Sequence, residues 1–348
     1  MKFLRSRFLA AAPALVLAAA CASLFLPHRP PGAEIYVDIP PGTGSVGMAR
    51  LLADAGAIPF GWQFLAIRLL RPQATLQAGE YAFTRPASPW EVFNRLVRGD
   101  VFFYSLTVPE GQNMFEIAAI LDRMGLIRAQ AFLQAARDPS LIRDLAPEAP
   151  SLEGFLFPDT YRIRRNTSAR DLCLMMTQRF RKAWSELNTD RPVLPTVTLA
   201  SLIEKETALR EERPLVASVF VNRLKAGLPL ACDPTVIYAA LLEDRYRGEI
   251  YRSDLASTNR YNTYQHAGLP PGPIANAGMD SLRAALKPAE TRYFYFVARP
   301  DGSGAHVFSE NLEAHQRAVA RYRRGNQKTK QTAAPGRVSS PSSAGANN

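Results

Sequence analysis

The sequence predicts an α+β protein with an N-terminal transmembrane helix, a small α+β module and a larger mixed α+β domain. Three observations lead to this fold class: an uncharged run near the N-terminus, an internal repeat of a strand–turn–helix unit, and a later series of helical patterns ending in a strand. The chain has 348 residues, of which 47% are apolar and 21% charged. This length accommodates two or three compact units, and this composition is typical of globular proteins.

The N-terminal segment carries no charge from Phe8 to Leu26, which is 19 residues. A helix needs about 20 apolar residues to span a bilayer, and basic residues that precede it stay cytoplasmic. We therefore predict a cytoplasmic segment at 1–7 and a transmembrane anchor at 8–27, with the rest of the chain exported. A cleaved signal peptide and lipoprotein processing at Cys21 are the alternatives, and both also imply export.

The basic charge of the chain lies at its two ends. The formal net charge is +11, but residues 1–29 hold four basic groups and residues 321–348 hold six, with no carboxylate in either segment. The remaining chain has 32 basic and 31 acidic residues. A nucleic-acid-binding domain is expected to carry a basic stripe on its folded surface. The distribution therefore excludes nucleic acid as the partner.

An internal repeat relates residues 37–58 to residues 106–127 without a gap, at a spacing of 69. Each copy has the pattern of a short strand, a turn of the form Pro-x-Gly, and an amphipathic helix that ends at a glycine. A strand at 77–83 and a helix at 89–97 are predicted between the copies. The segment 34–150 is thus predicted to be a small α+β module.

The segment 151–324 is predicted to be a second, mixed α+β domain. Its patterns indicate a loop leading into a strand near Tyr161, a later strand with the sequence RYFYFVA, and helices at 169–188, 196–226, 279–287 and 309–323. From Gly325 the composition is rich in Gly, Ser, Pro and Gln. We therefore predict a disordered tail at 325–348.

Glu204 is the first candidate for chemistry. In a helix it shares a stripe with small and apolar residues, and desolvation there would keep its carboxyl protonated, as a general acid requires. Glu206 points about 200° away, so the two carboxylates are not expected to share a pocket. From the residues alone, a helix-face carboxylate without catalytic function is the alternative for Glu204.

Glu211, Glu212 and Arg213, downstream of Glu204, are expected at the surface. Glu211 and Glu212 adjoin Arg213, a pattern typical of a solvated cluster. Arg210 lies four residues after Glu206, which is a favourable ion-pair spacing on a helix.

The loop around Asn262 and Tyr264 is a candidate for sugar binding. Amides, phenols and His266 precede a Pro/Gly-rich stretch, GLPPGPIANAG, and such groups match sugar hydroxyls and ring faces. A rigid, turn-rich connection whose side chains satisfy one another is the alternative. His306 could donate to a substrate carboxylate or acetamido group, or be structural, and Asp233 could cap the helix that starts beside Pro234.

The cysteines and histidines indicate neither a disulfide framework nor a metal site. Outside the predicted anchor only Cys173 and Cys232 are present, and two buried free thiols are expected. The four histidines show no metal-ligand spacing, so we predict no metal and no cofactor.

Seven motifs occur in one order and closely resemble those of the endolytic murein transglycosylases, the MltG or YceG-like family. They are LEGFLFPDTY (152–161), LASLIEKET (199–207), VASVFVNRL (216–224), DPTVIYA (233–239), YNTY (261–264), GLPPGPIAN (268–276) and GAHVFSENLEAH (304–315). The resemblance covers roughly residues 34–323. Cys232 departs from the residue expected before the DPT motif, and the tail after Gly325 lies outside the resemblance.

The resemblance implies an inner-membrane anchor, a LysM-like module at 34–150 and a periplasmic catalytic domain at 151–324. The family's catalytic residue is the first Glu of the EKET motif, which corresponds to Glu204. Further residues of the matching motifs are expected to bind substrate: Asn222, Asp233, Tyr261, Asn262, Tyr264, Asn276 and His306.

The implied activity is that of a lytic transglycosylase. Such an enzyme cleaves between N-acetylmuramic acid and N-acetylglucosamine in nascent peptidoglycan strands, leaves 1,6-anhydro ends and terminates glycan elongation. Its expected partners are glycan strands, the inner membrane and peptidoglycan synthases. A hydrolytic muramidase that uses Glu204, and a peptidoglycan-binding tether without catalysis, are the alternatives, because fold alone does not assign function.

Overall fold

The computed structural model describes residues 13, 15–29 and 34–332, with side chains described up to residue 325. The predicted anchor at 8–27 therefore lies partly outside the described residues. Its described part contains helix α1 (residues 15–23). None of the helices in the described ranges has both the length and the apolar character needed to cross a bilayer.

The first half of the described chain alternates short strands and helices. Its elements are β1 (Ile35–Ile39), α2 (Ser45–Asp54), α3 (Gly61–Leu70), β2 (Gly79–Phe83), α4 (Pro89–Arg98) and β3 (Tyr104–Thr107). Strands β1 and β2 are antiparallel, with Ile35 opposite Phe83. Phe64, Tyr81 of β2 and Phe93 are fully buried and belong to the core of the module.

The remaining chain is mostly helical. Its elements are α5 (Met114–Arg123), α6 (Ala129–Arg137), β4 (Thr160–Ile163), α7 (Ala169–Glu186), α8 (Val193–Glu206), α9 (Arg213–Lys225), α10 (Asp233–Leu242), α11 (Arg252–Leu255), α12 (Met279–Leu286), β5 (Tyr295–Ala298), β6 (His306–Ser309) and α13 (Leu312–Thr332). Strand β3 pairs with β4, and β5 pairs with β6. The mixed α+β class is confirmed.

The chain forms two compact units whose limits differ from the predicted ones. Unit 1 comprises the described residues up to Leu106 together with Tyr161–Thr167, and unit 2 comprises Thr107–Thr160 and the described residues from Ser168 onwards. The predicted module instead ended at residue 150. The difference arises because α6 packs against both α5 and α7, so that residues 107–150 belong to the core of unit 2.

The internal repeat is confirmed at the level of its elements. Helices α2 and α5 begin and end at positions 69 residues apart, as their bounds show. Each is followed by a left-handed glycine, Gly56 or Gly125. Such a glycine ends a helix without the steric cost that a side chain would incur. The two helices nevertheless lie in different units, because α2 packs against α3 and β1 whereas α5 packs against α6.

The predicted continuous helix at 196–226 was wrong. Helix α8 ends at Glu206, a 3-10 turn follows at Arg210–Glu212, and α9 begins at Arg213. Pro214 explains the break, since proline lacks an N–H and clashes with the carbonyl four residues earlier inside a helix. At the second position of α9, Pro214 is not needed as an N–H donor and has no preceding turn of the same helix to clash with.

The C-terminal prediction was wrong in part. The tail was predicted to be disordered from Gly325, but α13 continues to Thr332, and the residues after it lie outside the described part of the chain. A Cβ at Gly325 would lie 2.3 Å from Cβ of Pro300, so a glycine is needed where the helix passes this proline. Helices α3, α6 and α11 were not predicted.

Candidate active site

The carboxylate of Glu204 is held from both sides within unit 2. It lies in the last turn of α8, and its side chain is only 6% exposed. Oε1 accepts a hydrogen bond of 3.0 Å from Nη2 of Arg213, and Oε2 accepts one of 3.0 Å from the backbone N–H of Gly278. The orientation of the carboxylate is therefore set by two donors from different parts of the chain.

Arg213 is a component of this site that the sequence analysis placed wrongly. It was expected in a solvated cluster with Glu212, but the two residues are 4% and 8% exposed. The break between α8 and α9 is the cause, because it turns Arg213 back towards Glu204 instead of continuing a surface helix. Arg210, expected to pair with Glu206, forms an ion pair of 3.3 Å with Asp280.

A second carboxylate, Glu110, lies at the same guanidinium. Its Oε2 is 3.6 Å from Nη2 of Arg213, and its side chain is 44% exposed, so it forms the open edge of the site. Partial burial, followed by the negative charge of Glu204, raises the pKa of Glu110. Glu110 was not predicted from the sequence. The available signal was a difference between the repeat copies, since Glu110 occupies the turn position held by Pro41 in the first copy.

The turn that carries Glu110 is fastened to the Glu204 helix. Gly111 has φ +79, a left-handed conformation that a glycine adopts without strain. Its N–H donates to the carbonyl of Asn276 at 2.9 Å, and its own carbonyl accepts from Nζ of Lys205 at 3.1 Å. A Cβ on Gly111 would lie 3.5 Å from Cγ of Glu204, which shows how closely the turn approaches.

Asn276, predicted to bind substrate, supports the site from within the core. Its side chain is fully buried and donates to the carbonyl of Gln112 at 2.9 Å and to Oε1 of Glu153 at 2.8 Å. Its Oδ1 accepts from the N–H of Leu156. Burial raises the pKa of Glu153 to about 8. These contacts make Asn276 a positioning residue for the two loops that meet at Glu204.

His306 is held in place by Glu212, the residue that precedes Arg213. Its Nδ1 lies 2.6 Å from Oε2 of Glu212, and its backbone N–H donates to Oε1 at 2.8 Å. The ring stands edge-on to Phe296, at a centroid distance of 5.4 Å. Adjacent residues at the start of α9 thus hold two predicted site residues, Glu204 and His306.

The YceG-like family model matches residues 37–321, which include every residue of this site. The chain belongs to the YceG-like family. A protein of Bacillus subtilis strain 168 named endolytic murein transglycosylase is 32% identical over 309 residues, covering 83% of this chain and 84% of the relative. A protein of the same name from Streptococcus pneumoniae serotype 2 is 28% identical over 321 residues, covering 83% of this chain and 58% of the relative.

A solved structure supports the same assignment. The crystal structure of a yceG-like protein from Listeria monocytogenes matches with a TM-score of 0.52 at 30% identity. The match covers 82% of this chain and 98% of the Listeria chain. The resemblance stated from the seven motifs is therefore confirmed.

Two other predicted binding residues of this YceG-like chain line a separate cavity of about 290 Å³. Tyr264 donates its phenolic O–H to Oδ1 of Asp233 at 2.6 Å, and Glu206, Arg223 and His315 also line the cavity. Burial raises the pKa of Glu206. The prediction that Glu204 and Glu206 occupy different pockets is thus confirmed.

The predicted capping role of Asp233 was wrong. Helix α10 begins at Asp233 itself, and Cys232 is its N-cap residue, without a side-chain capping bond. The Asp233 carboxylate turns to Tyr264 instead. Both Cys232 and Cys173 are buried free thiols, as predicted.

Three further predicted residues lie inside unit 2, and the side-chain amides of two of them bond to backbone carbonyls there. The fully buried Asn262 donates to the carbonyls of residues 254, 255 and 257, and Asn222 donates to those of residues 291 and 293. Tyr261 is 8% exposed and packs on Tyr238 at a centroid distance of 5.1 Å. For these residues the geometry favours the structural alternative, a rigid, turn-rich connection, and a role in sugar binding stays a prediction.

Proposed function

We propose that this chain is an endolytic lytic transglycosylase of peptidoglycan with Glu204 as its general acid and base. The observation that carries the proposal is the geometry of Glu204, a carboxylate oriented by Arg213 and Gly278 within the segment that the family model matches. The names of the Bacillus and Streptococcus relatives support the same activity. The bond cleaved joins N-acetylmuramic acid to N-acetylglucosamine.

The reaction needs one proton donor that later accepts a proton. Glu204, in its protonated form, gives a proton to the glycosidic oxygen as the bond from that oxygen to C1 of the muramic residue breaks. The 6-hydroxyl of the same sugar then attacks C1, and its proton returns to Glu204. No water is consumed, so the second carboxylate that a hydrolytic glycosidase uses to activate water or form a covalent intermediate is not required.

The neighbours of Glu204 position the reacting groups. Arg213 and the Gly278 N–H fix both carboxylate oxygens, which restricts the carboxyl to one direction of proton transfer. Glu110 is more exposed and lies at the open edge of the site, beside the position proposed for the sugar. Its carboxylate can accept hydrogen bonds from sugar hydroxyls, and the positive charge of Arg213 offsets the repulsion between the two acidic groups.

The localisation is part of the proposal. Residues 8–27 form a single-pass anchor in the inner membrane, residues 1–7 remain cytoplasmic, and unit 2 acts in the periplasm on nascent strands. The uncharged run from Phe8 to Leu26 and the basic residues before it support this topology. The LysM-like module, contact with peptidoglycan synthases and termination of strand elongation follow the family pattern. The mass of the mature protein distinguishes an intact anchor from a cleaved or lipidated one.

The experiment incubates the purified full-length chain with uncross-linked glycan strands and analyses the products by mass spectrometry. Wild type is compared with Glu204→Gln and with Glu211→Gln, which removes an exposed carboxylate nearby. We expect internal fragments with 1,6-anhydro ends from wild type and Glu211→Gln. For Glu204→Gln we expect a rate reduced by about 10²- to 10⁴-fold, the usual contribution of a general acid–base group.

Other products would contradict the proposal. Reducing ends, heavier than anhydro ends by one water, would identify a hydrolase. Binding of strands by wild type without cleavage would identify a tether. Unchanged cleavage by Glu204→Gln would remove Glu204 from the mechanism.

A further inference from the structure

Helix α3 of unit 1 (Gly61–Leu70) is apolar on nearly every side. Gln63 and Arg68 are its two polar residues. Gln63, Phe64 and Ile67 form the buried face, which packs into the core of the unit. A surface helix of a protein surrounded only by water normally carries charged residues on its outer face. The outer face of α3 therefore requires a different explanation.

That outer face carries an apolar stripe, in which Leu65 and Ala66 are half-buried and Leu65 also packs against the core of the unit. Trp62, Leu65, Ala66 and Leu69 have the spacing i, i+3, i+4 and i+7, which places them on one side of a helix. Trp62 is 47% exposed and Leu69 is 82% exposed, and the adjacent Leu70 is 68% exposed. The apolar surface left exposed at Trp62, Leu69 and Leu70 marks an interaction site.

The stripe begins where the N-terminal apolar segment joins unit 1. Nε2 of Gln63 donates to the carbonyl and to Oγ of Ser23, at 3.2 and 3.1 Å. The backbone N–H of Trp90 donates to the carbonyl of Leu24 at 3.1 Å, and Leu24 is buried in the core of the unit. The end of α1 is thus fastened to the first turn of α3 and not connected by a free linker.

The segment so fastened is itself an exposed apolar surface. Leu15, Val16 and Leu17 are successive residues of α1 and are each about two-thirds or more exposed, at 76%, 68% and 66%. Successive helical residues point in different directions, so α1 is apolar around its circumference. Beyond it, Phe25 and Leu26 are also exposed. A surface of this kind is suited to lipid, which is the environment proposed for the anchor.

Cationic side chains flank the same junction. His28 and Ala87 exchange two backbone hydrogen bonds, of 3.0 and 3.1 Å. Arg29 follows His28 and the exposed Arg85 precedes this bridge by two residues. Cations at the end of an anchor attract anionic headgroups, and tryptophan prefers the interface between headgroups and acyl chains. Trp62 and the two arginines therefore match one environment, the surface of an anionic bilayer.

We propose that α3 lies in the interfacial layer of the membrane, with the stripe of Trp62, Leu65, Ala66 and Leu69 facing the lipid. The inference rests on the proposed membrane anchor and goes beyond it. Unit 1 is then held against the bilayer surface by two attachments, α1 and α3, and is not suspended from a flexible tether. The partner is the lipid surface, while another protein segment or a second copy of the chain are outcomes that the test distinguishes.

The experiment places the full chain in vesicles of phosphatidylethanolamine and phosphatidylglycerol with brominated acyl chains, which quench nearby tryptophan. The variant Trp90→Phe/Trp184→Phe leaves Trp62 as the fluorophore. We expect its emission to fall in brominated relative to unbrominated vesicles, and its maximum to lie at a shorter wavelength than that of an exposed tryptophan. In the matched control, Trp62→Phe/Trp90→Phe, the buried Trp184 of unit 2 should not be quenched.

A second position tests whether the whole helix lies on the surface. Leu69→Trp, in a chain whose three native tryptophans are replaced by Phe, is seven residues after Trp62 on the same face. We expect it to be quenched as Trp62 is. Quenching at residue 62 alone would overturn the proposal, because α3 would then leave the interface after its first turn.

The remaining measurements show whether a failure concerns this inference, the membrane anchor or the enzymatic activity. Flotation of the chain with the vesicles reports the anchor, and glycan cleavage is measured independently. A chain that floats but keeps Trp62 open to aqueous iodide overturns the lipid contact alone. Protection of Trp62 from both iodide and bromolipid would mean that protein covers the stripe, which also overturns the proposal.

Discussion

The guanidinium of Arg213 donates a hydrogen bond of 3.0 Å to Glu204, and both side chains are at least 94% buried. Two atoms of this guanidinium, Nε and Nη1, have no hydrogen-bond partner among the described residues, and Nη1 lies 4.0 Å from Oδ2 of Asp280. A buried ion pair is costly to break, because removal of one partner leaves the other charge without compensation. Arg213 therefore affects both the orientation of Glu204 and the stability of unit 2.

Replacement of Arg213 tests this dependence. We expect Arg213→Met to lower the free energy of unfolding by about 3–5 kcal/mol, because the Glu204 carboxylate remains buried without its partner. The double variant Arg213→Met/Glu204→Gln should recover part of this loss, since a neutral amide replaces the unpaired charge. Thermal or denaturant unfolding of the detergent-solubilised chain measures both effects.

Arg210→Met is the control for that comparison. Arg210 is 77% exposed and pairs with Asp280 at the surface, so its loss should change stability by less than about 1 kcal/mol. Equal destabilisation by the Arg210 and Arg213 variants would show that the buried pair has no special role.

Gly278 offers a test of the position of Glu110. A Cβ at Gly278 would lie 1.9 Å from Oε1 of Glu110, so Gly278→Ala should displace that carboxylate while the backbone N–H to Glu204 remains. A misplacement of about 1 Å in a site can reduce the rate by up to roughly 10²-fold. We expect a loss of this order in glycan cleavage, with an unchanged melting temperature within a few degrees.

Gly44→Ala is the matched control for Gly278→Ala. Gly44 is also the N-cap of a helix, with nearly the same backbone angles (φ −70, ψ 165 against φ −78, ψ 174). A Cβ at Gly44 would meet nothing within 4 Å. If both alanine variants lose activity to the same extent, capping and not Glu110 is responsible.

The charge of Glu204 should be detectable at Glu110. Burial is the largest cause of the raised pKa of Glu110 and the negative charge of Glu204 is the next, so Glu204→Gln should lower the pKa of Glu110 towards its ordinary value. NMR titration of carboxyl-labelled glutamate, assigned with Glu110→Gln, follows this change. An unaltered or raised Glu110 pKa in the Glu204→Gln variant would contradict the coupling.

Glu153 should make stability depend on pH. Its pKa is raised from 4.5 to about 8, so between these values the folded chain retains a proton that the unfolded chain loses. The stabilisation is complete below pH 4.5 and is lost as the pH rises to about 8, at up to about 1.4 kcal/mol per pH unit. Unfolding measured across this range should show the slope, and Glu153→Gln should reduce it. A slope that is identical in the variant would assign it to other groups.

The repeat and the helix ends were readable from the sequence for a local reason. Gly56 and Gly125 end α2 and α5 because a left-handed residue is needed at those positions, and the requirement depends on the backbone nearby. The separation of Glu204 from Glu206 was equally local, since it follows from about 3.6 residues per turn. Helix α3 was not predicted, because an apolar outer face hides the polar–apolar alternation that marks a surface helix.

The sequence by itself determined the mixed α+β class, the duplicated strand–turn–helix, the family and Glu204 as the candidate catalytic residue, because these depend on local spacing and ordered motifs. Tertiary structure alone decided that Arg213 and Glu110 join Glu204, and that Asn262 and Asn276 are buried. The physical reason is distance along the chain. Residues 110, 204, 213 and 278 meet only after several helices have packed, and that packing determines which charges are removed from water.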